Sequence, residues 1–480
     1  MGGSTPTAAL APLAFNGLDA ATGDYLYGSM TADEFAQSVY GAEVADPGHE
    51  AELAIRSRSD EASFGVAYGV AADDLAEAGW GIVTGAAAPP ELLAALEPLC
   101  SLRRDQAGAR FRVFTGADGV QRDESKDQWL GRHGMGPGDA EPEKVPYYLL
   151  LVGGPADISF DFQYELDVHY AVGRLAFDTP AEYARYARAV AAAEGAAGSR
   201  DTTLTLFGTR NPDDRATELS ATHLLEPLAA EVEAKSKAGS AVEASIGDAA
   251  DKATLCELLN GGRSTDLLFS ATHGIGFAAD DPKQRDAQGA LVCQDWPGPA
   301  AWKRSLPEEF YVSAADVSDA ATGAPKIVFA FACYGAGTPA FDEFGHLRRK
   351  KARKLASRPF VSRLSQRLLS HPTGGTLAFV GHVERAWECS FVSANAGPQR
   401  GVFAGTLASI LDGRRVGHAL EFFNSRYAGM ASTLASHLDR YHRHGLKTKP
   451  DELTSLWIAA NDARNYTLLG DPAVRLDPPA

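Results

Sequence analysis

Short apolar runs that alternate with amphipathic segments constrain the fold of this chain more than any other feature of its sequence. Runs without polar alternation are typical of strands that are buried on both faces of a sheet. The clearest runs are GWGIVTG, VPYYLLLVGGP, TTLTLFGT, TDLLFSATHG, PKIVFAFACYGAG and GGTLAFVGHVE, at residues 79–85, 145–155, 202–209, 265–274, 325–337 and 374–384. Helical periodicity lies between them, for example in TPAEYARYARAVAAAEG, where a proline stands in the first turn. This order predicts an α/β fold with a mostly parallel sheet covered by helices on both faces.

A short polar stretch, GAAGSRD, interrupts this pattern after the helical segment at 179–195. The pattern that follows it is more regular, so we place a domain boundary near residue 198. The expected organisation is a smaller β/α subdomain at 1–198 and a larger α/β domain at 199–480. A chain of 480 residues is long enough for two or three domains.

Composition and charge disfavour several classes of protein. The formal net charge of −17 argues against non-specific binding to nucleic acid. The chain has no run of about 18 apolar residues that would span a membrane, and its start, MGGSTP, lacks the features of a secretory signal. Five widely spaced cysteines without a CxxC motif fit neither a disulfide framework nor a zinc site. We therefore expect a cytoplasmic protein without a nucleic-acid or membrane partner, a metal or another cofactor.

Two of the apolar runs end on residues that can perform chemistry. The run DLLFSATHG ends at His273 and Gly274, and the run IVFAFACYG carries Cys333 just beyond its apolar part. Ligands of parallel α/β sheets bind outside the carboxyl ends of the strands, so both side chains reach one crevice if their strands are neighbours. A thiolate is a strong nucleophile, and an imidazole beside it can take its proton.

The backbone next to this pair is also suited to catalysis. Gly274 allows a substrate carbonyl to approach closely, and the amides of Gly274 and Cys333 can form an oxyanion hole. Taken singly, a buried cysteine or a histidine at a strand end is more often structural. The ordered pair, separated by about 60 residues as in caspases, is a much stronger signal of nucleophilic catalysis.

At this point the chain resembles the clan CD cysteine peptidases, which include caspases, gingipains, legumain, separase and CHAT-domain proteases. The gingipain-like branch is the most similar. Its first segment is matched by YYLLLVGGPADISFDFQYELDVHYAVGRLAFDT, the strand after its nucleophile by GGTLAFVGHVERAW and its end by NYTLLGDPAVRL. The similarity covers most of residues 145–480. In the first segment, the tripeptide VGR is expected to form a turn after a strand.

The resemblance implies a caspase-like α/β/α sandwich and a cysteine endopeptidase that acts through a thioacyl-enzyme. His273 would be the general acid and base, and Cys333 the nucleophile. Gly274 would supply an oxyanion-hole amide. Some members use a third group to orient the histidine, but no residue of this sequence is clearly matched to it.

The residue bound on the acyl side of the scissile bond (P1) is expected to enter a pocket formed by the loop GTRNPDDRATELSA at 208–221. Asp213 or Asp214 on the pocket floor would select Arg or Lys by charge pairing. Arg210 or Arg215 there would select Asp instead. We favour Asp214 and a basic P1 residue, with Asp295 and Asp316 as further candidates that have no better claim. A charged residue of such a loop is more often only part of a polar turn or a helix cap.

A basic stretch after the nucleophile is a candidate for self-processing. It begins RRKKARK and contains Arg348, Arg349, Lys350, Lys351, Arg353 and Lys354. If P1 is basic, the enzyme is expected to cut itself there, and an intact chain in the active enzyme would contradict this. The simpler interpretation is a solvated loop before a helix.

Two functions remain open at this stage. The first is a bacterial endopeptidase that cleaves a protein or peptide substrate, awaits an activating partner and acts in regulated proteolysis or defence. The second is a catalytically silent protein of the same fold that binds partners. The presence of both His273 and Cys333 favours the enzyme.

Overall fold

The computed structural model describes residues 14–26, 36, 39–40, 52–54, 56–57, 65–195, 202–236, 240–342, 344, 353–393 and 397–476. Within them the strands are β1 Gly17–Asp19, β2 Trp80–Thr84, β3 Phe111–Phe114, β4 Tyr148–Val152, β5 Ala171–Leu175, β6 Thr202–Gly208, β7 Ser240–Ile246, β8 Leu267–Ala271, β9 Gly274–Gly276, β10 Leu291–Val292, β11 Tyr311–Val312, β12 Ile327–Phe331, β13 Gly337–Thr338, β14 Phe360–Val361, β15 Ala378–His382, β16 Val392–Ser393, β17 Gly397–Pro398 and β18 Tyr466–Gly470.

A ten-stranded sheet forms the centre of the molecule, in the order β3-β2-β4-β5-β18-β15-β12-β8-β6-β7. Neighbouring strands are parallel throughout except at the β15–β18 pair, which is antiparallel. The sheet therefore consists of two blocks of five parallel strands that run in opposite directions. Strands β2, β4, β5, β8, β12, β15 and β18 are buried along their whole length.

Helices cover the sheet, as the apolar strands require. The α-helices of the described residues are Leu75–Ala78, Pro90–Ala95, Glu97–Ala107, Lys126–Arg132, Phe160–Leu166, Pro180–Gly195, Arg215–Leu219, Glu226–Lys235, Lys252–Asn260, Gln284–Ala287, Arg363–Leu369, Gly401–Leu411, Val416–Ala419, Glu421–His444 and Pro450–Arg464. The predicted α/β/α sandwich with a mostly parallel sheet is confirmed.

The strands on either side of the predicted boundary at residue 198 belong to one continuous sheet. Residues 196–201 themselves lie outside the described part of the chain. The last strand, β18, is the innermost strand of the first block, where it pairs in parallel with β5 and joins the second block through its antiparallel pairing with β15. The tripeptide VGR is not a turn, since Val172, Gly173 and Arg174 lie inside β5.

A small second sheet lies against the carboxyl end of β8. It has the order β1-β9-β10-β11, and β1 pairs in parallel with β9, with Gly17 opposite Gly274. This sheet brings the start of the described chain next to His273. Nothing in the sequence predicts this contact, because a three-residue strand is too short to show periodicity.

Candidate active site

Two neighbouring strands deliver His273 and Cys333 to the same edge of the sheet. Strands β8 and β12 pair in parallel, with Ala271 opposite Phe331 at their carboxyl ends. His273 and Cys333 follow two residues after these positions, and both are fully buried. The apolar runs thus form the strands, and His273 and Cys333 lie just beyond the same edge of the sheet.

Asp214 holds the imidazole of His273. Its carboxylate oxygen Oδ2 lies 2.7 Å from His273 Nε2, and both side chains are buried. The same oxygen accepts a hydrogen bond from the Thr217 hydroxyl, and Oδ1 accepts one of 2.5 Å from the Tyr25 hydroxyl. Asp214 also caps the helix that starts at Arg215, by accepting from the backbone amide of Thr217. These contacts occupy both carboxylate oxygens.

The pKa of Asp214 reflects this environment. Burial by itself would raise the pKa, but the adjacent His273 and the hydrogen bonds from His273, Thr217 and Tyr25 lower it to about 2. The carboxylate is therefore ionised throughout the physiological range. An ionised carboxylate beside an imidazole fixes the ring orientation and stabilises the imidazolium.

Cys333 lies in a turn with an unusual backbone. The next residue, Tyr334, has φ of 59°, a left-handed conformation that is uncommon for a residue with a side chain. The Cys333 sulfur accepts a hydrogen bond of 3.3 Å from the Ala386 amide. Burial raises the pKa of the Cys333 thiol above its ordinary value, and the Ala386 amide opposes this.

Two backbone amides converge beside the thiol. The N–H groups of Gly274 and Cys333 both donate to one oxygen, the carbonyl of Asn16, at 2.9 and 3.0 Å. A Cβ atom at Gly274 would lie 1.8 Å from the Cys333 carbonyl oxygen, so only glycine fits here. Two donors aimed at a single carbonyl oxygen form the arrangement that stabilises the oxyanion of acyl transfer.

Comparison with known families agrees with this geometry. The sequence profile of peptidase family C25 matches residues 82–477. The chain belongs to peptidase family C25. This is the gingipain family of clan CD, so the resemblance expected from the sequence is confirmed, and so is the class of enzyme, a cysteine-type peptidase acting on protein or peptide substrates.

Three solved structures are similar to the peptidase at low identity. One, titled as a protease, has 13% identity and a TM-score of 0.46, and the match covers 82% of this chain and 78% of that one. A complex of the pro- and mature domains of RgpB from Porphyromonas gingivalis has 11% identity, a TM-score of 0.42 and coverage of 83% and 80%. The Arg-specific cysteine proteinase gingipain R has 12% identity, a TM-score of 0.42 and coverage of 83% and 78%. No curated protein matches the chain.

The residues predicted for the P1 pocket of the peptidase have different surroundings. Asp214 faces the imidazole rather than an open pocket, and Asp213 is exposed in a left-handed turn with φ of 56°. Arg215 is half exposed and lies 3.5 Å from Glu388. Asp295 is exposed and accepts from the Lys252 amide at 2.7 Å.

The two remaining candidates for this pocket are also bound to other groups. Asp316 pairs with Lys252 at 2.7 Å. Arg210 pairs with Glu226 and Glu218.

The basic stretch of the peptidase is described only at its end. Arg348, Arg349, Lys350 and Lys351 lie outside the described residues, while Arg353 and Lys354 are both exposed. Lys354 forms an isolated antiparallel bridge with Phe341. Self-processing in this stretch stays a prediction.

Asp214 and Asn16 are the site residues whose positions the sequence did not reveal. Asp214 appeared as a P1 candidate because it lies in a charged loop, and its distance of 59 residues from His273 gives no local signal. A helix-cap role for it is predictable from the sequence, since aspartate is a favoured N-cap residue and a helical segment follows it directly.

In the described part of the chain, none of the helices is long and apolar enough to cross a membrane.

Proposed function

We propose that this protein is an endopeptidase in which Cys333 is the nucleophile and His273 the general acid and base. The thiolate attacks a peptide carbonyl, His273 gives its proton to the leaving amine, and water hydrolyses the thioacyl-enzyme. The amides of Gly274 and Cys333 hold the oxyanion. The observation that carries the proposal is that both amides already donate to one peptide carbonyl.

Asp214 has the role of a positioning residue in this proposal. It lies 2.7 Å from His273 Nε2 and is itself held by Thr217 and Tyr25. Enzymes that activate a thiol or hydroxyl nucleophile share this arrangement, in which a base lies beside the nucleophile and a third group orients the base. A P1 preference for Arg or Lys would then have to rest on an acidic group other than Asp214.

A fluorogenic peptide library varied at P1 tests the function. We expect cleavage by the wild type and a loss of about 10⁴-fold or more in Cys333→Ala, because loss of a nucleophile removes the covalent route. Cys293→Ala is the matched control, since this buried thiol donates to the Leu291 carbonyl and directly follows β10 of the small sheet. Equal activity in Cys333→Ala and wild type would refute the assignment.

The biological setting stays a prediction. An activating partner and a bacterial defence pathway are predicted from the resemblance, and a cytoplasmic location is predicted from the cysteine pattern. Absence of cleavage for every peptide, with the fold intact, would instead favour the catalytically silent partner-binding protein.

A further inference from the structure

The start of the described chain lies across the catalytic centre as an extended strand. The Asn16 amide donates to the Ala386 carbonyl at 2.9 Å, and the Glu388 amide donates to the Ala14 carbonyl at 3.0 Å. Phe15 forms an antiparallel bridge with Trp387, and their ring centroids are 5.0 Å apart. Antiparallel addition to an exposed edge is a general way for a protein to hold an extended peptide. The segment is thus bound as a peptide substrate would be.

The Asn16–Gly17 peptide bond occupies the reacting position. Its carbonyl oxygen receives both oxyanion-hole amides, those of Gly274 and Cys333. On the other side of the bond, a Cβ atom added to Gly17 would lie 2.7 Å from the Cys333 sulfur. The thiol therefore lies directly beside this bond, and glycine at position 17 is what lets the backbone come so close.

The side chain of Asn16 enters a buried position next to the catalytic histidine. Asn16 is 1% exposed, and its Nδ2 donates to the Thr272 carbonyl at 3.2 Å. Thr272 immediately precedes His273, so the carbonyl that accepts from the Asn16 side chain is held next to the catalytic histidine. A small neutral side chain with an N–H donor satisfies this carbonyl without an acidic partner.

The chain after the bond is anchored in the small sheet and by a turn. Residues Gly17–Asp19 form β1 of the small sheet, and Leu18 is fully buried there. The Asp19 carboxylate then stabilises a turn by accepting from the Ala21 and Thr22 amides. After this turn, Tyr25 contacts Asp214. Cleavage would leave this part in place as a component of the site.

We propose that Asn16–Gly17 is a self-cleavage site and that the P1 pocket of the peptidase accepts asparagine. The proposal rests on the proposed peptidase function and specifies its first substrate, the chain itself. The bound segment also blocks the cleft, because its carbonyl fills the oxyanion hole. Cleavage of other substrates therefore follows removal of the part that precedes Gly17.

The reaction balances with water as the co-reactant. The Cys333 sulfur bonds to the Asn16 carbonyl carbon, and the bond from that carbon to the Gly17 nitrogen breaks. His273 transfers the thiol proton to the Gly17 nitrogen, which becomes a free amine. Water then splits the thioester, which leaves a carboxylate on Asn16 and restores the thiol.

The test is to follow the purified full-length chain by intact mass and N-terminal sequencing at two protein concentrations. We expect the wild type to yield a chain that starts at Gly17, with a first-order rate that dilution does not change. Cys333→Ala should stay intact. Cleavage of added Ala-Phe-Asn reporter peptide should show a lag that matches the appearance of the new terminus, and Ala-Phe-Asn should exceed Ala-Phe-Arg.

A matched pair of substitutions tests the role of the side chain. Asn16→Asp keeps the shape but replaces the donor to the Thr272 carbonyl, so self-cleavage should slow by at least about tenfold. Asn461→Asp makes the same change on the helix Pro450–Arg464, where the amide donates to the Trp457 carbonyl, and should leave the rate unchanged. Thermal melts check that both variants fold. The comparison of the Ala-Phe-Asn and Ala-Phe-Arg reporters uses the wild type, so it does not depend on either variant.

The outcomes separate the two proposals. Wild-type enzyme that cleaves reporters while Asn16–Gly17 stays intact overturns this inference and leaves the peptidase function standing. Self-cleavage only within residues 348–354 also overturns it, in favour of the basic stretch. Self-cleavage that persists in Cys333→Ala contradicts the inference, and a wild type that cleaves neither itself nor any peptide refutes the peptidase function as well.

Discussion

Buried polar groups in the two halves of the central sheet find their hydrogen-bond partners at different distances along the chain. In the first block, the Arg174 guanidinium on β5 donates to Gln163 and to three backbone carbonyls, those of Gly153, Ile158 and Ser159. All these partners lie within 21 residues of it in the chain. In the second block, the two amides beside Cys333 are satisfied by the carbonyl of Asn16, which comes from the far end of the sequence.

The difference separates a polar group with local partners from a pair of amides whose acceptor comes from a distant segment. The carbonyls around Arg174 belong to the loop and helix start that follow β4. The carbonyl that accepts from the Gly274 and Cys333 amides belongs to a separate extended segment, and other peptides present the same group. Antiparallel pairing of β15 and β18 also turns the carboxyl ends of the two blocks toward opposite edges.

The largest effect that would sharpen this comparison is expected from Asp214→Asn. The variant loses the negative charge that orients His273 and stabilises the imidazolium, so kcat should fall by about 10²–10⁴-fold. KM should change far less, since Asp214 contacts His273, Thr217 and Tyr25 rather than the cleft. Steady-state kinetics on a reporter peptide measure both constants. A variant with unchanged kcat would remove Asp214 from the machinery.

A smaller effect, of a different kind, is expected from Arg174→Met in the first block. The substitution leaves three buried carbonyls without their donor, which should destabilise the fold by about 3 kcal/mol or more. Chemical denaturation measures this loss. Below the melting temperature kcat should stay within about twofold of the wild type, because a purely structural group does not touch the reacting atoms. A large fall in kcat with little loss of stability would break the comparison.

The smallest effect concerns acid stability. The folded pKa of Asp214 is lowered to about 2 from an ordinary value of 3.8. Its ionised form therefore stabilises the folded state above about pH 4, and this contribution of about 2 kcal/mol is lost as the pH falls through 2. The unfolding free energy is measured for wild type and Asp214→Asn at pH 6 and at pH 2. The difference between the two proteins should be smaller at pH 2 than at pH 6. A difference that is the same at both values would contradict the lowered pKa.

The sequence by itself predicted the α/β class, the mostly parallel sheet and the position of His273 and Cys333 beyond the ends of two neighbouring strands. Runs such as those before His273 and Cys333 are unbroken and apolar, and such runs become buried strands in almost any context. The position of a reactive residue just beyond a strand is determined by that strand. Glycine at position 274 also allows the backbone of β9 to approach the backbone of Cys333 closely.

Only the tertiary structure decided the partners that complete the site. Asp214 lies 59 residues before His273, and Asn16 lies 256 residues before Thr272, which its side chain contacts. Both residues lie in short polar or irregular segments, whose sequence pattern does not predict which distant residue they contact. Local patterns report whether a residue is buried, but the pairing of distant segments depends on the packing of the whole chain. For this reason the sequence alone does not indicate that Asp214 contacts His273 or that Gly17–Asp19 forms a strand beside it.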